Sequence, residues 1–130
     1  MMRLLLLLAL FLAGCAAPGP SPEFPPAEAP PPEAQEKREN VAVAGLMQSA
    51  RAEAAAGRLA TAAASLERAL RIEPRNPRLW HELARVRLRQ GEYAQAESMA
   101  ARSNAWAGSD GALRAENQRL IEQAREAAGR

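Results

Sequence analysis

The sequence has very few of the residues from which catalytic and metal sites are built. Cysteine, histidine and aspartate each occur once, as Cys15, His81 and Asp110. A Ser-His-Asp site would need His81 and Asp110 to converge on a serine, and no motif in the chain supports that arrangement. A metal site would need several His, Cys or carboxylate ligands at defined spacing, which the sequence does not offer. The composition therefore predicts no catalytic residue, no metal ligand and no cofactor, in a protein that is not an enzyme.

Aromatic and β-branched residues are also scarce. Aromatic residues make up 4% of the chain, and long runs of Val, Ile and Thr are missing. Because strands are enriched in these residues, their scarcity argues against a β-sheet. Residues 40–130 are instead dominated by Ala, Leu, Arg and Glu, which favour helices. This segment is long enough for one small all-α domain with a modest core.

The amino terminus has the pattern of an export signal. One basic residue, Arg3, precedes a run over residues 4–12 that is almost entirely leucine. The run is shorter than the ~20 residues that a membrane-spanning helix needs. Residues 12–15, Leu-Ala-Gly-Cys, resemble the lipobox of bacterial lipoproteins. The resemblance implies that residues 1–14 are a signal peptide that is removed, and that Cys15 is then acylated.

The lipoprotein resemblance also implies a location. Ala16 follows the cysteine, and in lipoproteins of this kind Ala rather than Asp at this position favours the outer membrane. The chain would then be lipid-anchored and would face the periplasm. Each buried CH₂ contributes ~0.8 kcal/mol, so several acyl chains on Cys15 would hold the protein firmly. A buried cysteine inside an ordinary helix is the alternative, and the prolines that follow argue against it.

Proline is concentrated after the cysteine. Eight of the ten prolines lie in residues 16–33. Such a segment cannot bury enough apolar surface to fold and favours extended polyproline II, so residues 15–39 are predicted to be a disordered linker. At ~3.1 Å per residue, 18 to 24 residues would reach roughly 55–75 Å. The segment is interpreted as a spacer. The alternative is a docking peptide for polyproline-binding domains, which are mostly cytoplasmic.

A similar pattern occurs twice in the second part of the chain, 34 residues apart. The shift pairs Leu46 with Trp80, Ala50 with Ala84, Gly57 with Gly91, Leu59 with Tyr93, and Ala62 with Ala96. This pattern resembles the tetratricopeptide repeat, a helix–turn–helix unit of 34 residues. The resemblance implies two repeats, at 43–76 and 77–110, within a domain spanning residues 40–130.

Local signals predict where the helices begin and end. Gly57 and Gly91 suit the left-handed position after a helix, and Asn76-Pro77 suits a helix start. Residues 111–128 place apolar side chains on one face and are predicted to be a capping helix that closes the array. The expected fold is five helices, two hairpins plus a cap, and residues 34–40 could extend the first helix backwards.

Partners of tetratricopeptide domains usually lie on the concave surface formed by the first helix of each repeat. Carried over to this sequence, that surface comprises Ala44, Met47, Arg51, Ala54 and Ala55 from the first repeat, and Arg78, His81, Arg85, Leu88 and Arg89 from the second. The resemblance implies a cationic rim around a small apolar floor, suited to an acidic or mixed protein segment. His81 is expected at the helix surface. Trp106, in the predicted loop before the cap, has two interpretations: it is either a core residue or an exposed anchor for a binding partner.

Arginine is denser between residues 71 and 89 than elsewhere in the chain. A basic patch is typical of nucleic-acid binding. Export would separate this protein from nucleic acid, so no nucleic-acid partner is expected, and a solvated face explains part of the patch.

The order of lipobox, proline-rich linker and short helical domain resembles the LpoP-type lipoproteins of pseudomonads and their relatives. These outer-membrane proteins activate a class A penicillin-binding protein, a bifunctional peptidoglycan synthase. The resemblance implies that the linker sets the reach and that the helical domain contacts the synthase. Two alternatives stay open: a pilotin-like lipoprotein for secretin assembly, and an adaptor that recruits a periplasmic hydrolase or protease.

Overall fold

The computed structural model describes residues 32–129, with side chains from residue 40 onward. It contains five helices: α1 (Pro32–Ala55), α2 (Leu59–Ile72), α3 (Pro77–Arg89), α4 (Tyr93–Trp106) and α5 (Gly111–Ala128). Each helix packs against the next along the chain, and α3 also contacts α5. No strand occurs among the described residues. The prediction of an all-α fold with two hairpins and a capping helix is therefore confirmed.

The first helix begins earlier than the sequence indicated. It starts at Pro32, whereas the backward extension was expected only from residue 34. The expected signal peptide (residues 1–14), the acylated Cys15 and most of the proline-rich linker lie outside the described residues. Within residues 32–129, none of the helices combines the length and the apolar character needed to cross a membrane.

The two hairpin turns have the same backbone geometry. Gly57 and Gly91 have φ angles of +79° and +78°, in the left-handed region that glycine adopts without a steric penalty. After α1, the amide of Gly57 donates to the carbonyl oxygen of Ala54 at 3.1 Å, and the amide of Arg58 donates to that of Glu53 at 2.9 Å. Equivalent bonds form around Gly91 after α3. This pair of hydrogen bonds defines a Schellman motif, which satisfies the carbonyls at the helix end.

Side-chain caps start the two helices that follow longer connections. The Oδ1 atom of Asn76 accepts a hydrogen bond from the amide of Arg78 at 3.0 Å, and Pro77 occupies the first turn of α3. Asp110 caps α5 in the same way, accepting from the amide of Leu113 at 3.0 Å. Both caps satisfy amides that have no partner within the helix. The start of α3 is therefore formed by the predicted residues, and α5 begins with the same kind of cap.

The core consists of two clusters of buried apolar residues. The first core cluster joins α1, α2 and α3 and comprises Val43, Ala50, Ala62, Ala63, Leu66, Ala69, Leu70, Leu79, Leu83 and Val86. The second core cluster joins α3, α4 and α5 and comprises Ala84, Ala100, Leu120 and Ile121. Alanines are frequent in both, and Ala62 and Ala84 are fully buried. Because alanine is small, the helix axes can approach closely at these points.

Candidate protein-binding groove

An open groove lies between α1 and α3, the first helices of the two hairpins. Its volume is about 310 Å³. The groove is lined by Ala50, Arg51, Ala54, Ala55, Leu66, Glu82, Arg85, Val86 and Arg89. The apolar members Ala50, Leu66 and Val86 are buried and form its floor. Charged side chains form its rim, so the groove can hold an apolar side chain between polar walls.

Helical periodicity brings the rim residues together. On α3, Glu82, Arg85 and Arg89 are spaced by three and four residues and therefore share one face. On α1, Arg51 and Ala54 are three residues apart and face them across the groove. The rim is thus assembled from two helices that are held in place by the core beneath them.

A single carboxylate organises two of the arginines. Oε1 of Glu82 lies 2.7 Å from Nη2 of Arg51, and its Oε2 lies 3.4 Å from Nη1 of Arg85. The side chain of Glu82 is only 12% exposed, while those of both arginines are 59% exposed. Exposed ion pairs of this kind contribute ~0–1 kcal/mol to stability, so their main effect here is to orient the guanidinium groups.

Arg89 completes the rim at the end of α1. Its Nη1 donates a hydrogen bond to the carbonyl oxygen of Ala54 at 2.8 Å. The groove therefore carries three arginines against one carboxylate. This excess of positive charge matches an acidic segment better than a basic one.

The remaining residues predicted for the concave surface lie elsewhere. Met47 is half-buried and packs against the first core cluster, and Leu88 packs against the second. Arg78 is exposed and pairs with the α5 cap, its Nη2 lying 3.2 Å from Oδ2 of Asp110. Ala44 is exposed but does not line the groove. Glu82 was missed, although its spacing from Arg85 places it on the predicted face.

The expectation that His81 is a surface residue is wrong. Its Nδ1 lies 2.8 Å from Oδ1 of Asn117, its Nε2 lies 3.5 Å from Oε2 of Glu116, and the residue is buried. The physical reason is that α5 packs on α3 as well as on α4 and covers this part of the concave face. The capping helix thus occupies a surface that the sequence had assigned to a partner.

Asn117 is the centre of a buried polar network. Its Nδ2 donates to Oγ of Ser103 at 2.7 Å and to Oδ1 of Asn104 at 2.9 Å. Oγ of Ser103 in turn donates to the carbonyl oxygen of Pro77 at 2.8 Å. Since the amide nitrogen has two acceptors, the amide oxygen faces His81 and accepts from its Nδ1–H.

The sequence contained a signal for this network. Asn117 lies four residues after Leu113 and four before Ile121, in the middle of the apolar face of α5. A polar residue at such a position must find hydrogen-bond partners when it is buried. Among the described residues, every buried side-chain nitrogen or oxygen has a partner.

A smaller recess of about 270 Å³ lies between α3 and α5, where Glu116, Arg119 and Gln123 surround the buried edge of His81. Arg85 lines this recess as well as the groove. The two depressions therefore adjoin at Arg85, which makes this residue central to the face.

Trp106 is the last residue of α4 rather than part of a loop. It is 46% exposed, so the interpretation as a core residue is wrong. The guanidinium carbon of Arg75 lies 5.1 Å from the centre of its ring. Within residues 32–129, no three His, Cys, Asp or Glu side chains are close enough together to hold a metal ion.

Comparison with known proteins points to the same architecture. Residues 53–115 match the tetratricopeptide-repeat family. The solved structure of the globular C-terminal domain of LpoP from P. aeruginosa is 47% identical in sequence and superimposes with a TM-score of 0.66. That match covers 67% of this chain and 82% of the solved one. No curated protein matches the chain.

Proposed function

Because this chain belongs to the LpoP-like tetratricopeptide-repeat proteins, we propose that it binds and activates a class A penicillin-binding protein in cell-wall synthesis. The observation that carries this proposal is the 47% identity to the LpoP domain over most of the helical region. The order of lipobox, proline-rich linker and helical domain supports the same function. On this proposal the protein is a non-enzymatic interaction module.

The groove between α1 and α3 is the proposed contact surface. Its buried floor can accept one apolar side chain, and Arg51, Arg85 and Arg89 can bind carboxylates on either side of it. Because Glu82 already orients two of these arginines, binding requires little further ordering of their side chains. The expected ligand is an acidic or mixed segment of the synthase.

The amino-terminal part of the chain is assigned the anchoring role. Acylated Cys15 would hold the protein at the outer membrane, facing the periplasm, and residues 16–31 would span part of the distance to the synthase. Shortening this segment should abolish function in cells and leave binding by the purified protein intact. Equal loss in both assays would show that the segment is itself a contact surface.

The direct test is to add the purified chain to class A penicillin-binding proteins of the same organism. Glycan polymerisation and peptide crosslinking are followed with the wild type and with Arg85→Glu and Arg89→Glu. Stimulation should fall by about ten-fold in each variant, because a charge-assisted contact becomes a repulsive one. Arg114→Glu is the matched control, since Arg114 is exposed on α5 outside the groove.

The other outcomes are equally decisive. Stimulation that is unchanged by both groove substitutions would support the activator function and show that the contact surface lies outside the groove. Neither binding nor stimulation with any synthase would reject the proposal. Deletion of the gene then separates the alternatives, since loss of twitching motility indicates secretin assembly and β-lactam hypersensitivity indicates wall synthesis.

A further inference from the structure

A third depression, larger than the groove, is bounded by α2, α3 and α4. Its volume is about 450 Å³, and it shares no residue with the groove between α1 and α3. Leu70, Leu83 and Met99 contribute apolar surface to it. Leu70 and Leu83 belong to the first core cluster, so this surface is fixed by the fold.

Two arginine–tryptophan stacks lie in and beside this depression. The guanidinium carbon of Arg102 lies 5.0 Å from the ring centre of Trp80, and that of Arg75 lies 5.1 Å from the ring centre of Trp106. Trp80 is held in place because its Nε1 donates to the carbonyl oxygen of Pro74 at 2.8 Å. Trp106 lies four residues after Arg102 on the same face of α4, and Arg75 follows Pro74 in the chain, so the second contact lies beside the first. We call the depression together with both stacks the tryptophan–arginine surface.

Stacking leaves the arginines ready to bind a further group. A guanidinium in a cation–π contact interacts with the face of the ring through its charge, and most of its N–H groups are still available to bind an acceptor. Because the stack restricts the side-chain rotamers, less entropy is lost when a carboxylate binds those N–H groups.

Three of the four arginines of this surface are not neutralised by the protein itself. In the described part of the chain, Arg71, Arg75 and Arg102 take part in no ion pair. Arg87, which also lines the depression, is by contrast paired with Glu67 at 2.6 Å and with Glu92 at 3.0 Å. The surface therefore combines an apolar floor, two aromatic rings and three uncompensated positive charges.

We propose that the tryptophan–arginine surface binds an extended acidic segment of a protein partner. Carboxylates of the segment would bind Arg71, Arg75 and Arg102, since the planar guanidinium matches a carboxylate in a bidentate arrangement. An apolar side chain between them would pack on Leu70 and Met99. Tryptophan and arginine are also the residues most enriched at binding hot spots. This surface lies apart from the groove, so its occupant does not depend on what the groove binds.

The test uses the detergent-solubilised full chain and a phage-displayed library of random 12-residue peptides. Peptides are selected on the wild type and counter-selected on the Arg75→Gln/Arg102→Gln double variant. Both substituted residues are exposed, so the variant should fold normally. The surviving peptides should be rich in Asp and Glu with at least one large apolar residue. No survivors, or survivors without an excess of acidic residues, would overturn the proposal.

A selected peptide is then titrated while tryptophan fluorescence is recorded. The chain has two tryptophans, and both lie in the proposed surface, so the signal reports on this surface alone. Affinity should fall about five-fold in Arg102→Gln, as expected for the loss of one exposed charge pair, and should be unchanged in Arg114→Gln. An equal loss in both variants would show a non-specific charge effect and reject the site. A fluorescence response to phosphatidylglycerol vesicles but not to the selected peptide would reject it in favour of a membrane surface.

Discussion

The domain contains two junctions that occupy equivalent positions but differ in chemistry. At the first junction α3 packs on the α1–α2 hairpin, and at the second α5 packs on the α3–α4 hairpin. The shift of 34 residues pairs His81 with Met47, Ser103 with Ala69, and Asn117 with Leu83. The first junction is thus apolar at the three positions where the second holds a hydrogen-bonded network.

The difference shows two ways of holding successive helices together. Met47, Ala69 and Leu83 contribute apolar burial to the first core cluster, which is strong but not directional. His81, Ser103 and Asn117 are joined by directional hydrogen bonds. We infer that the network fixes one position of the capping helix, because a shift of α5 would leave these buried groups without partners.

The largest expected effect comes from breaking this network at one residue. Asn117→Leu leaves the buried Nδ1 of His81 without its partner and removes the amide donor to Ser103 and Asn104, so it should destabilise the protein by about 3 kcal/mol. The triple variant His81→Met/Ser103→Ala/Asn117→Leu copies the first junction and should recover to within about 1 kcal/mol of the wild type, since both sides become apolar. Urea unfolding measures both. A triple variant that is less stable than Asn117→Leu would contradict the equivalence of the two junctions.

The two turns, unlike the two junctions, should respond alike to substitution. Gly57→Ala and Gly91→Ala each place a Cβ on a left-handed residue and should cost about 1–2 kcal/mol. A Cβ at position 57 meets no atom within 4 Å, and one at position 91 meets only the Tyr93 hydroxyl, at 3.9 Å, so the cost is backbone strain. Gly45→Ala, in the interior of α1, should instead stabilise by about 0.5–1 kcal/mol. If the thermal unfolding midpoints of these two variants differ by more than the experimental error, the two turns are not equivalent.

An ion pair bridges each turn, and the order of the acidic and the basic residue along the chain is reversed between the two turns. Glu53 pairs with Arg58 across the first turn, and Arg87 pairs with Glu92 at 3.0 Å across the second. These positions are 34 residues apart in both cases. Only the second pair has a further partner within the described residues, because Arg87 also binds Glu67 on α2 at 2.6 Å. Opposite charges therefore bridge both turns, and the order of signs along the chain differs between them.

Exchanging the two charges of the ion pair should affect the two repeats differently. Glu53→Arg/Arg58→Glu gives the first turn the order of the second and should change Tm by less than about 2 °C. Arg87→Glu/Glu92→Arg places a carboxylate beside Glu67, at a position that is largely buried, and should cost about 1 kcal/mol. Adding Glu67→Gln to the second exchange should restore most of the loss. Equal effects of the two exchanges would show that the contact with Glu67 contributes nothing.

The fold was predictable from local signals, whereas part of the candidate site was not. Gly57, Gly91 and Asn76 mark helix ends through backbone chemistry that does not depend on the rest of the structure. Arg85 was assigned to the concave surface through the resemblance to tetratricopeptide repeats, and it does line the groove. His81 could not be placed in the same way, since its burial depends on how α5 crosses α3, which no local pattern determines.

The smallest expected effect is the loss of the stability that the ion pair at the first turn contributes when the pH is lowered. The hydrogen bond from Arg58 lowers the pKa of Glu53 below its ordinary value of 4.5, because it favours the charged carboxylate. The stability that this pair contributes is therefore complete above about pH 4.5 and is lost as the pH falls through the lowered pKa. The difference in unfolding free energy between the wild type and Arg58→Gln should shrink from about pH 7 to about pH 3. Arg114→Gln should show no such trend, and a difference for Arg58→Gln that stays constant over this range would mean that Glu53 gains nothing from Arg58. Since both side chains are accessible to solvent, added salt should reduce the effect at neutral pH as well.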